Sequence, residues 1–261
     1  MAGLAAAHML TDLGWQVEVA EKSRGIGGRL ASRHTDYGFI DHGAPYLQAV
    51  HPPMRALMTG LANQGTVLEW LPTGKDHDGE WHIGVGGMSR MLVPLSDRFT
   101  IRFNTTITRV EPTDDGVVVG GTSGGLNEEN RYDRVIISAP APQALRLVER
   151  LGDPFSRLAQ VSFKPGYTGL YVFAGRVDAG ADVLRGDGRV AMAHRCNTKP
   201  PANDDDLKDF DAYDRWAVHL SDDYSKQVLE TDKEDMSEPI ADLFAEFAEA
   251  SLPQYRFCRA H

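Results

Sequence analysis

The most informative segment of the sequence is Glu21-Lys22-Ser23-Arg24-Gly25-Ile26-Gly27-Gly28-Arg29. Its last six residues include three glycines and two arginines. Glycines let a backbone approach a phosphate closely, and arginines pair with phosphate oxygens. An ordinary glycine turn with solvated arginines is the alternative interpretation. The order of these residues, directly after an acidic residue, favours a loop that binds a pyrophosphate.

The segment before this loop supplies half of a dinucleotide-binding unit. Residues 3–13 have the apolar spacing of a helix that Gly14 would end, and residues 15–20 alternate as in a strand. Gly3 stands where the third glycine of a dinucleotide fingerprint allows a helix to pack closely on a strand, and Glu21 stands where an acidic residue binds the ribose. The first strand and the two earlier glycines of that fingerprint are absent. For this segment alone, an alanine-rich helix followed by a strand with a surface glutamate is an equal alternative.

In the rest of the chain we predict both helices and strands, and the order of these elements changes after residue 150. Helices are predicted at 53–64, 140–150 and 235–250, and the last is amphipathic, with Ile240, Leu243, Phe244 and Phe247 on one face. A short helix or turn is predicted at 88–95, and a break centred on Asn104 separates two of the predicted strands. Polar, glycine-rich or Pro/Asp-rich composition predicts loops at 122–130 and 199–211. Strands are predicted at 38–43, 66–71, 99–103, 106–111, 117–119, 134–138 (buried), 167–173, 189–194 and 215–220. The second half shows no alternation of strand and helix, so we expect an α/β nucleotide domain interleaved with an antiparallel-sheet domain.

Composition narrows the classes of partner. The chain has 261 residues, 42% hydrophobic residues and a formal net charge of -10, without the basic cluster typical of a nucleic-acid-binding protein. Cys196 and Cys258 form no CxxC pair, so we expect two free, buried thiols and a reducing, cytoplasmic location. No apolar run reaches 18 residues and no secretion signal is evident, so no membrane partner is expected. A small-molecule substrate is the expected partner; the oligomeric state is left open.

Several segments resemble the flavin amine oxidase superfamily, and most closely its renalase-like FAD-dependent oxidoreductases. Residues 21–29 resemble the FAD-binding loop that follows the second strand in that superfamily, and this is the most specific piece of the resemblance. The resemblance covers most of the chain. The further matching segments are Asp41-His42-Gly43-Ala44, Trp81-x-x-Gly84-Val85-x-Gly87-Met88-Ser89, Ser138-Ala139-Pro140-Ala141-Pro142-Gln143-Ala144 and Tyr255-Arg256-Phe257-Cys258-Arg259-Ala260.

The resemblance implies an α/β fold of the GR2 flavoprotein type. A Rossmann-like FAD-binding domain would comprise residues 1–50 and 85–150, and an α+β substrate domain would comprise residues 51–84 and 151–261. Family members also have a first strand with two glycines and a late glycine-rich segment under the flavin ring. Since the sequence contains neither, the resemblance implies a member truncated at both ends. Pro45 and Gly86 also depart from the family pattern.

FAD is the cofactor that the resemblance implies, and no metal is expected. Glu21 would bind the adenosine ribose, the segment 27–29 would follow the pyrophosphate, and the segment 41–44 would run beside the flavin. Gly87 and Met88 would lie near its reactive face. Val110 would meet the adenine edge, although a valine in a strand core is an equal alternative there. The full predicted set is Gly3, Glu21, Lys22, Arg24, Gly25, Gly27, Gly28, Arg29, Asp41, His42, Gly43, Ala44, Gly87, Met88 and Val110.

The implied activity is oxidation of a small reduced substrate, an isomeric dihydronicotinamide dinucleotide or an amine, with oxygen as acceptor. No general base is named, because flavin chemistry needs few protein acids and bases. His42 and His194 are more often structural than catalytic in such settings. A non-catalytic remnant that binds FAD poorly and an NAD-dependent dehydrogenase are the competing hypotheses, the second disfavoured by the Gly-Gly-Arg loop. Tyr171, Trp216 and His219 would line a pocket over the flavin or pack in a core.

Overall fold

The computed structural model describes residues 1–74, 79–203 and 212–261. In chain order, the helices are α1 (Ala2–Asp12), α2 (Pro52–Asn63), α3 (Ala141–Val148), α4 (Asp222–Gln227) and α5 (Ser237–Ala248). Short 3-10 helices lie at Gly28–Leu30, Met88–Leu95, Glu149–Leu151, Phe155–Gln160 and Cys196–Thr198. The strands are β1 (Glu18–Ala20), β2 (Ser32–Thr35), β3 (Gly38–Asp41), β4 (Val67–Glu69), β5 (His82–Gly84), β6 (Thr100–Arg102), β7 (Thr105–Thr113), β8 (Gly116–Ser123), β9 (Leu126–Tyr132), β10 (Thr168–Phe173), β11 (Val183–Arg185), β12 (Val190–Arg195), β13 (Asp214–Leu220) and β14 (Tyr255–Ala260).

The chain forms two compact units, each built from two separate segments. The first unit comprises Met1–Ile26 and Leu92–Phe163, and the second comprises Gly27–Met91 and Lys164–His261. The boundaries of these two units differ from those of the predicted FAD and substrate domains. Residues 27–50 and 85–91, predicted in the FAD domain, lie in the second unit. The assignment of cofactor and substrate binding to those domains stays a prediction.

The first unit contains a parallel strand pair and an antiparallel sheet. β1 pairs with β6 in parallel, and β7, β8 and β9 form a three-stranded antiparallel sheet. The predicted first helix is confirmed as α1, and Gly14 follows its end with a φ of +86°, a conformation that suits glycine. Asn104 breaks the chain between β6 and β7 with a φ of +51°, as its position in the sequence predicts.

The predicted surface loop at 122–130 is wrong, because the chain forms a β-hairpin there. Ser123 at the end of β8 pairs with Leu126 at the start of β9. The two residues between them, Gly124 and Gly125, have φ values of +55° and +85°. Two central residues with positive φ are what a tight hairpin turn requires. The glycines therefore mark a two-residue turn between strands rather than a long loop.

The predicted buried strand at 134–138 is also wrong. The segment has no pairing with any strand of the described chain, and the Ile136 side chain is 60% exposed. Its β-branched composition is typical of a buried strand. Burial also requires neighbouring strands on both sides, and composition alone does not supply them.

The second unit is built around a five-stranded antiparallel sheet in the order β11-β12-β13-β10-β14. α5 covers one face of this sheet, and its predicted apolar stripe is confirmed, with Ile240, Leu243 and Phe244 buried. The strand residues packed in this core include Tyr171, Phe173, Trp216 and Val218.

The opposite face of the sheet packs against the β2–β3 hairpin. Leu170, Val172, Cys196 and Ala217 form a second cluster with Ile40 of β3. Alternate residues of a strand point to opposite faces, so β13 presents Trp216 to α5 and Ala217 to the hairpin. Arg215 and His219 therefore share the face of Ala217.

Two findings in the described ranges concern membrane-spanning helices and the cysteines. None of the helices there is both long and apolar enough to cross a membrane. Cys196 is buried and Cys258 is half-buried, and both thiols are free. Of the predicted loop at 199–211, residues 204–211 lie outside the described residues. Lys199 itself is fully buried, so it is not a solvated loop residue.

Candidate functional site

Gly3 lies in the first turn of α1, in the first unit. A Cβ at this position would lie 2.5 Å from Ser138 Oγ and 3.4 Å from Ser138 Cβ, so a larger residue requires the Ser138 side chain to move. Glycine allows the 138 segment to approach the helix closely without that movement. Close packing is the property for which this position was predicted to carry glycine; its part in cofactor binding stays a prediction.

Glu21 directly follows β1, and its backbone is held on both sides. Its N–H donates to the Arg102 carbonyl at 2.9 Å, and its carbonyl accepts from Thr105 N–H at 3.0 Å. The side-chain Oε1 accepts a hydrogen bond from Ser23 N–H at 2.8 Å. The carboxylate is therefore oriented at the end of the strand before any ligand binds, with a second oxygen for further hydrogen bonds.

Lys22, Arg24 and Gly25 continue the chain from Glu21 and are exposed. A Cβ on Gly25 would meet no atom within 4 Å, so open space lies beside its backbone. Val110 pairs with Val119 across β7 and β8, and both are 8% exposed. That placement is the one expected of a valine in a strand core; contact with adenine stays a prediction.

The predicted pyrophosphate residues of the second unit form a short 3-10 turn. Gly27 has a φ of +129°, and a Cβ there would lie 3.0 Å from Ser89 Cβ. Gly28 has a φ of +56° and open space where a Cβ would stand. Arg29 follows Gly28 in the chain and is exposed.

The segment 29–31 is in close backbone contact with the predicted flavin segment 41–44. Ala44 N–H donates to the Arg29 carbonyl at 2.8 Å, and Gly43 N–H donates to the Ala31 carbonyl at 3.1 Å. A Cβ at Gly43 would lie 2.2 Å from the Arg29 carbonyl oxygen. The structure thus brings two of the predicted groups, Arg29 and the pair Gly43–Ala44, into one place.

Asp41 joins three segments through one buried carboxylate. Its Oδ1 accepts from Met88 N–H at 2.9 Å and from Ser32 Oγ at 2.6 Å. Its Oδ2 accepts from Lys199 Nζ at 2.6 Å, and both side chains of this ion pair are fully buried. Met88 and Asp41 were predicted from the sequence; Lys199 was missed. No local pattern around Lys199 distinguishes it from a solvated lysine.

Histidines near Asp41 and Lys199 in the second unit are held in their neutral form. Burial, with His261 4.3 Å away ring to ring, lowers the pKa of His42 to about 4. The His194 ring stacks on His219 at 5.4 Å, and burial, reinforced by the charge of Lys199, holds the pKa of His194 well below its usual value. Neutral imidazoles accept or donate single hydrogen bonds without adding charge.

Tyr171 and Trp216 belong to the core beneath α5. The Tyr171 hydroxyl donates to the Ser237 carbonyl at 2.6 Å, and the Trp216 ring lies 4.9 Å from the Phe244 ring. Of the two interpretations of these aromatic residues, core packing is confirmed. His219 differs, because it points to the opposite face of the sheet.

The residues present fit a nucleotide pyrophosphate. In the first unit, Gly25 leaves open space beside its backbone and follows the exposed Arg24. In the second unit, Gly28 leaves open space beside its backbone and precedes the exposed Arg29. Backbone N–H groups with neighbouring guanidinium groups are the usual donors for phosphate oxygens. Glu21 supplies an oriented carboxylate of the type that binds ribose hydroxyls. Across the described ranges, no group of three or more His, Cys, Asp and Glu side chains could hold a metal ion.

Comparison with known proteins gives one family match and several similar solved structures. Residues 1–78 match the family model of flavin containing amine oxidoreductases. Putrescine oxidase, solved with bound putrescine, is 13% identical with a TM-score of 0.71, covering 99% of this chain and 82% of that chain. A protein described as a protoporphyrinogen oxidase from Exiguobacterium sp. 255-15 is 10% identical with a TM-score of 0.66, covering 99% and 83%. A flavoprotein/dehydrogenase from Cytophaga hutchinsonii is 12% identical with a TM-score of 0.56, covering 100% and 63%.

These similarities bear on the fold and on the cofactor. At such low identity, the solved structures establish the Rossmann-like fold of FAD-dependent oxidoreductases, and the family match covers the segment that contains Glu21 and the glycine loop. Together they support an FAD-dependent oxidoreductase, with FAD as its cofactor.

Proposed function

We propose that this protein is a renalase-like FAD-dependent oxidoreductase that oxidises a small reduced substrate and passes the electrons to oxygen. The observation that carries the proposal is the segment from Glu21 to Arg29. It combines an oriented carboxylate with glycines that leave open space and arginines that are exposed. An NAD-dependent dehydrogenase requires only the first of these features, so FAD accounts for the segment better.

Each predicted group has a separate task in binding. Glu21 accepts hydrogen bonds from the ribose hydroxyls, and the backbone of Gly27 and Gly28 with Arg29 binds the pyrophosphate. The segment 41–44 and the backbone of Met88 orient the flavin. FAD, when bound, supplies a two-electron acceptor that oxygen restores with release of hydrogen peroxide. The protein's own residues bind and orient and need no strong general base, which accords with the lowered pKa values of His42 and His194.

The substrate class follows from the resemblance and from one structural neighbour. The renalase-like segments favour an isomeric dihydronicotinamide dinucleotide, whereas the similarity to putrescine oxidase favours an amine. Either substrate gives up two electrons and one proton as a hydride equivalent, so the same cofactor site serves both. Incubating the holoprotein with each class and measuring peroxide separates them. Flavin reduction without peroxide would argue against oxygen as the acceptor.

Glu21→Ala is the variant that tests cofactor binding. Hydrogen bonds to a charged group contribute about 1.5–3 kcal/mol each, so losing one of them should weaken FAD binding roughly 10- to 150-fold. FAD affinity is measured by titrating the apoprotein and following flavin fluorescence. The control is Glu230→Ala, which removes an exposed glutamate of the second unit. A folded wild-type protein that takes up no FAD would refute the proposal. Unchanged affinity in Glu21→Ala would refute the role of Glu21 alone.

A further inference from the structure

Lys199 and Asp41 form an ion pair that is fully buried and joins residues 158 positions apart. Removing two charges from water carries a desolvation cost that their mutual attraction offsets only with further hydrogen bonds. Packing of apolar side chains would stabilise the same space at least as well. We therefore consider which segments of the chain this ion pair holds in place.

Lys199 Nζ binds both ends of one short segment. It donates to Asp41 Oδ2 at 2.6 Å and to the Pro45 carbonyl at 2.7 Å. The residues between these two acceptors are 42–44, which are predicted to run beside the flavin. The ammonium also lies 4.7 Å from the Trp70 ring centroid, within range of a cation–π interaction. A single cation thus fixes the separation of the two ends of the 41–45 segment.

Asp41 carries this restraint to a second predicted flavin segment. Its Oδ1 accepts from Met88 N–H at 2.9 Å, while Ser32 Oγ donates to the same oxygen at 2.6 Å. Gly87, just before Met88, has a φ of +116°, and a Cβ there would lie 2.7 Å from Ser32 Oγ. The carboxylate therefore holds the 87–88 backbone against the 41–45 segment in a single arrangement.

We propose that Lys199 is a positioning residue for the flavin, acting through Asp41 and the Pro45 carbonyl on the 41–45 and 87–88 segments. The inference rests on the proposed function, because it assigns these two segments to the flavin. The contacts of Lys199 that carry this role are those with Asp41 and the Pro45 carbonyl. Its charge is balanced by Asp41, and the nearby His194 is neutral, so its effect is to fix geometry.

Two variants separate positioning from simple stability. Lys199→Met keeps most of the side-chain length and removes the charge and both hydrogen bonds, but it leaves the Asp41 carboxylate buried without its counterion. The double variant Lys199→Met/Asp41→Asn also removes that uncompensated charge, and it keeps an amide that can accept from Met88 N–H. Lys226→Met, at an exposed lysine of α4, is the matched control.

The experiment compares thermal unfolding, FAD affinity and the visible circular dichroism of the bound flavin across wild type and these variants. We expect the double variant to recover thermal stability lost in Lys199→Met. Both variants should still bind FAD about tenfold more weakly than wild type and show an altered flavin dichroism spectrum. Lys199→Arg, which keeps the cation, should recover part of the affinity, whereas Lys226→Met should match wild type.

A double variant with wild-type FAD affinity and an unchanged flavin spectrum would overturn the assignment and leave the pair with a structural role. If Lys199→Met does not fold, the double variant and Lys199→Arg decide the question by the same flavin readouts. Failure of folding in all three would also overturn it, since the pair would then serve folding itself. A wild-type protein that binds no FAD would instead show that the proposed function has failed, which the wild-type titration reveals first.

Discussion

Replacing His219 with asparagine should make the protein less sensitive to mild acid. His219 Nδ1 lies 3.0 Å from Thr168 Oγ1, and its Nε2 is buried without a hydrogen-bond partner among the described residues. Burial, reinforced by the positive Lys199 and then by His42, lowers its pKa from 6.5 to about 4. The asparagine amide can keep the contact with Thr168 and does not titrate, so the substitution removes mainly the ionisation.

The sign and size of the effect follow from proton linkage. Between pH 6.5 and about 4 the unfolded chain binds a proton at residue 219 that the folded protein does not, so stability falls as the pH falls. With one pKa unit equal to about 1.4 kcal/mol, the wild type should lose roughly 2 kcal/mol from this group between pH 7.5 and pH 5. His219→Asn should lose that much less over the same interval.

Urea unfolding at pH 7.5 and pH 5, followed by circular dichroism, measures the difference directly. Acid effects from other groups are common to both proteins and cancel when the two pH-dependent losses are subtracted. His34→Asn, which removes an exposed imidazole, is the control and should lose as much stability as wild type. Equal losses in wild type and His219→Asn would refute the reasoning, because His219 would then have to take up its proton equally in both states.

Two further substitutions test packing in the second unit. Phe244→Ala removes a fully buried ring between α5 and the sheet and should lower the free energy of unfolding by about 3–5 kcal/mol, as measured by urea unfolding; a loss below about 1 kcal/mol would contradict the packing described. Gly43→Ala places a methyl group 2.2 Å from the Arg29 carbonyl oxygen and should cost about 1–3 kcal/mol in the same assay. Gly60→Ala, at a glycine with open space around it, is the control for that clash and should not show such a loss.

Local elements with a strong one-dimensional pattern were predictable. The helix before Gly14, the break at Asn104 and the apolar face of α5 all depend on residues close in sequence. The hairpin turn at Gly124 and Gly125 was missed, because two glycines in a polar stretch are typical both of a loop and of a tight turn. Only strand pairing on either side distinguishes the two.

The candidate site likewise contains features that were predictable from the sequence and features that were not. Glu21 and the glycine loop were recognisable because ribose and pyrophosphate binding depends on residue types at short, regular spacing. Two contacts could be identified only in the folded structure: the hydrogen bond from Ser23 that orients Glu21, and the close contact of Arg29 with Gly43. Lys199 had no sequence signal, since its partners Asp41 and Pro45 lie more than 150 positions away.

Residue types able to bind a nucleotide, and the helices and strands with clear periodicity, were therefore predictable from the amino-acid sequence. Which side chains are buried together became known only from the folded chain, above all for the Lys199–Asp41 pair and the neutral histidines beside it. The physical reason is the range of the interactions. Hydrophobic periodicity and turn chemistry act between near neighbours in the chain. Desolvation and ion pairing depend on which distant segments the fold brings into contact.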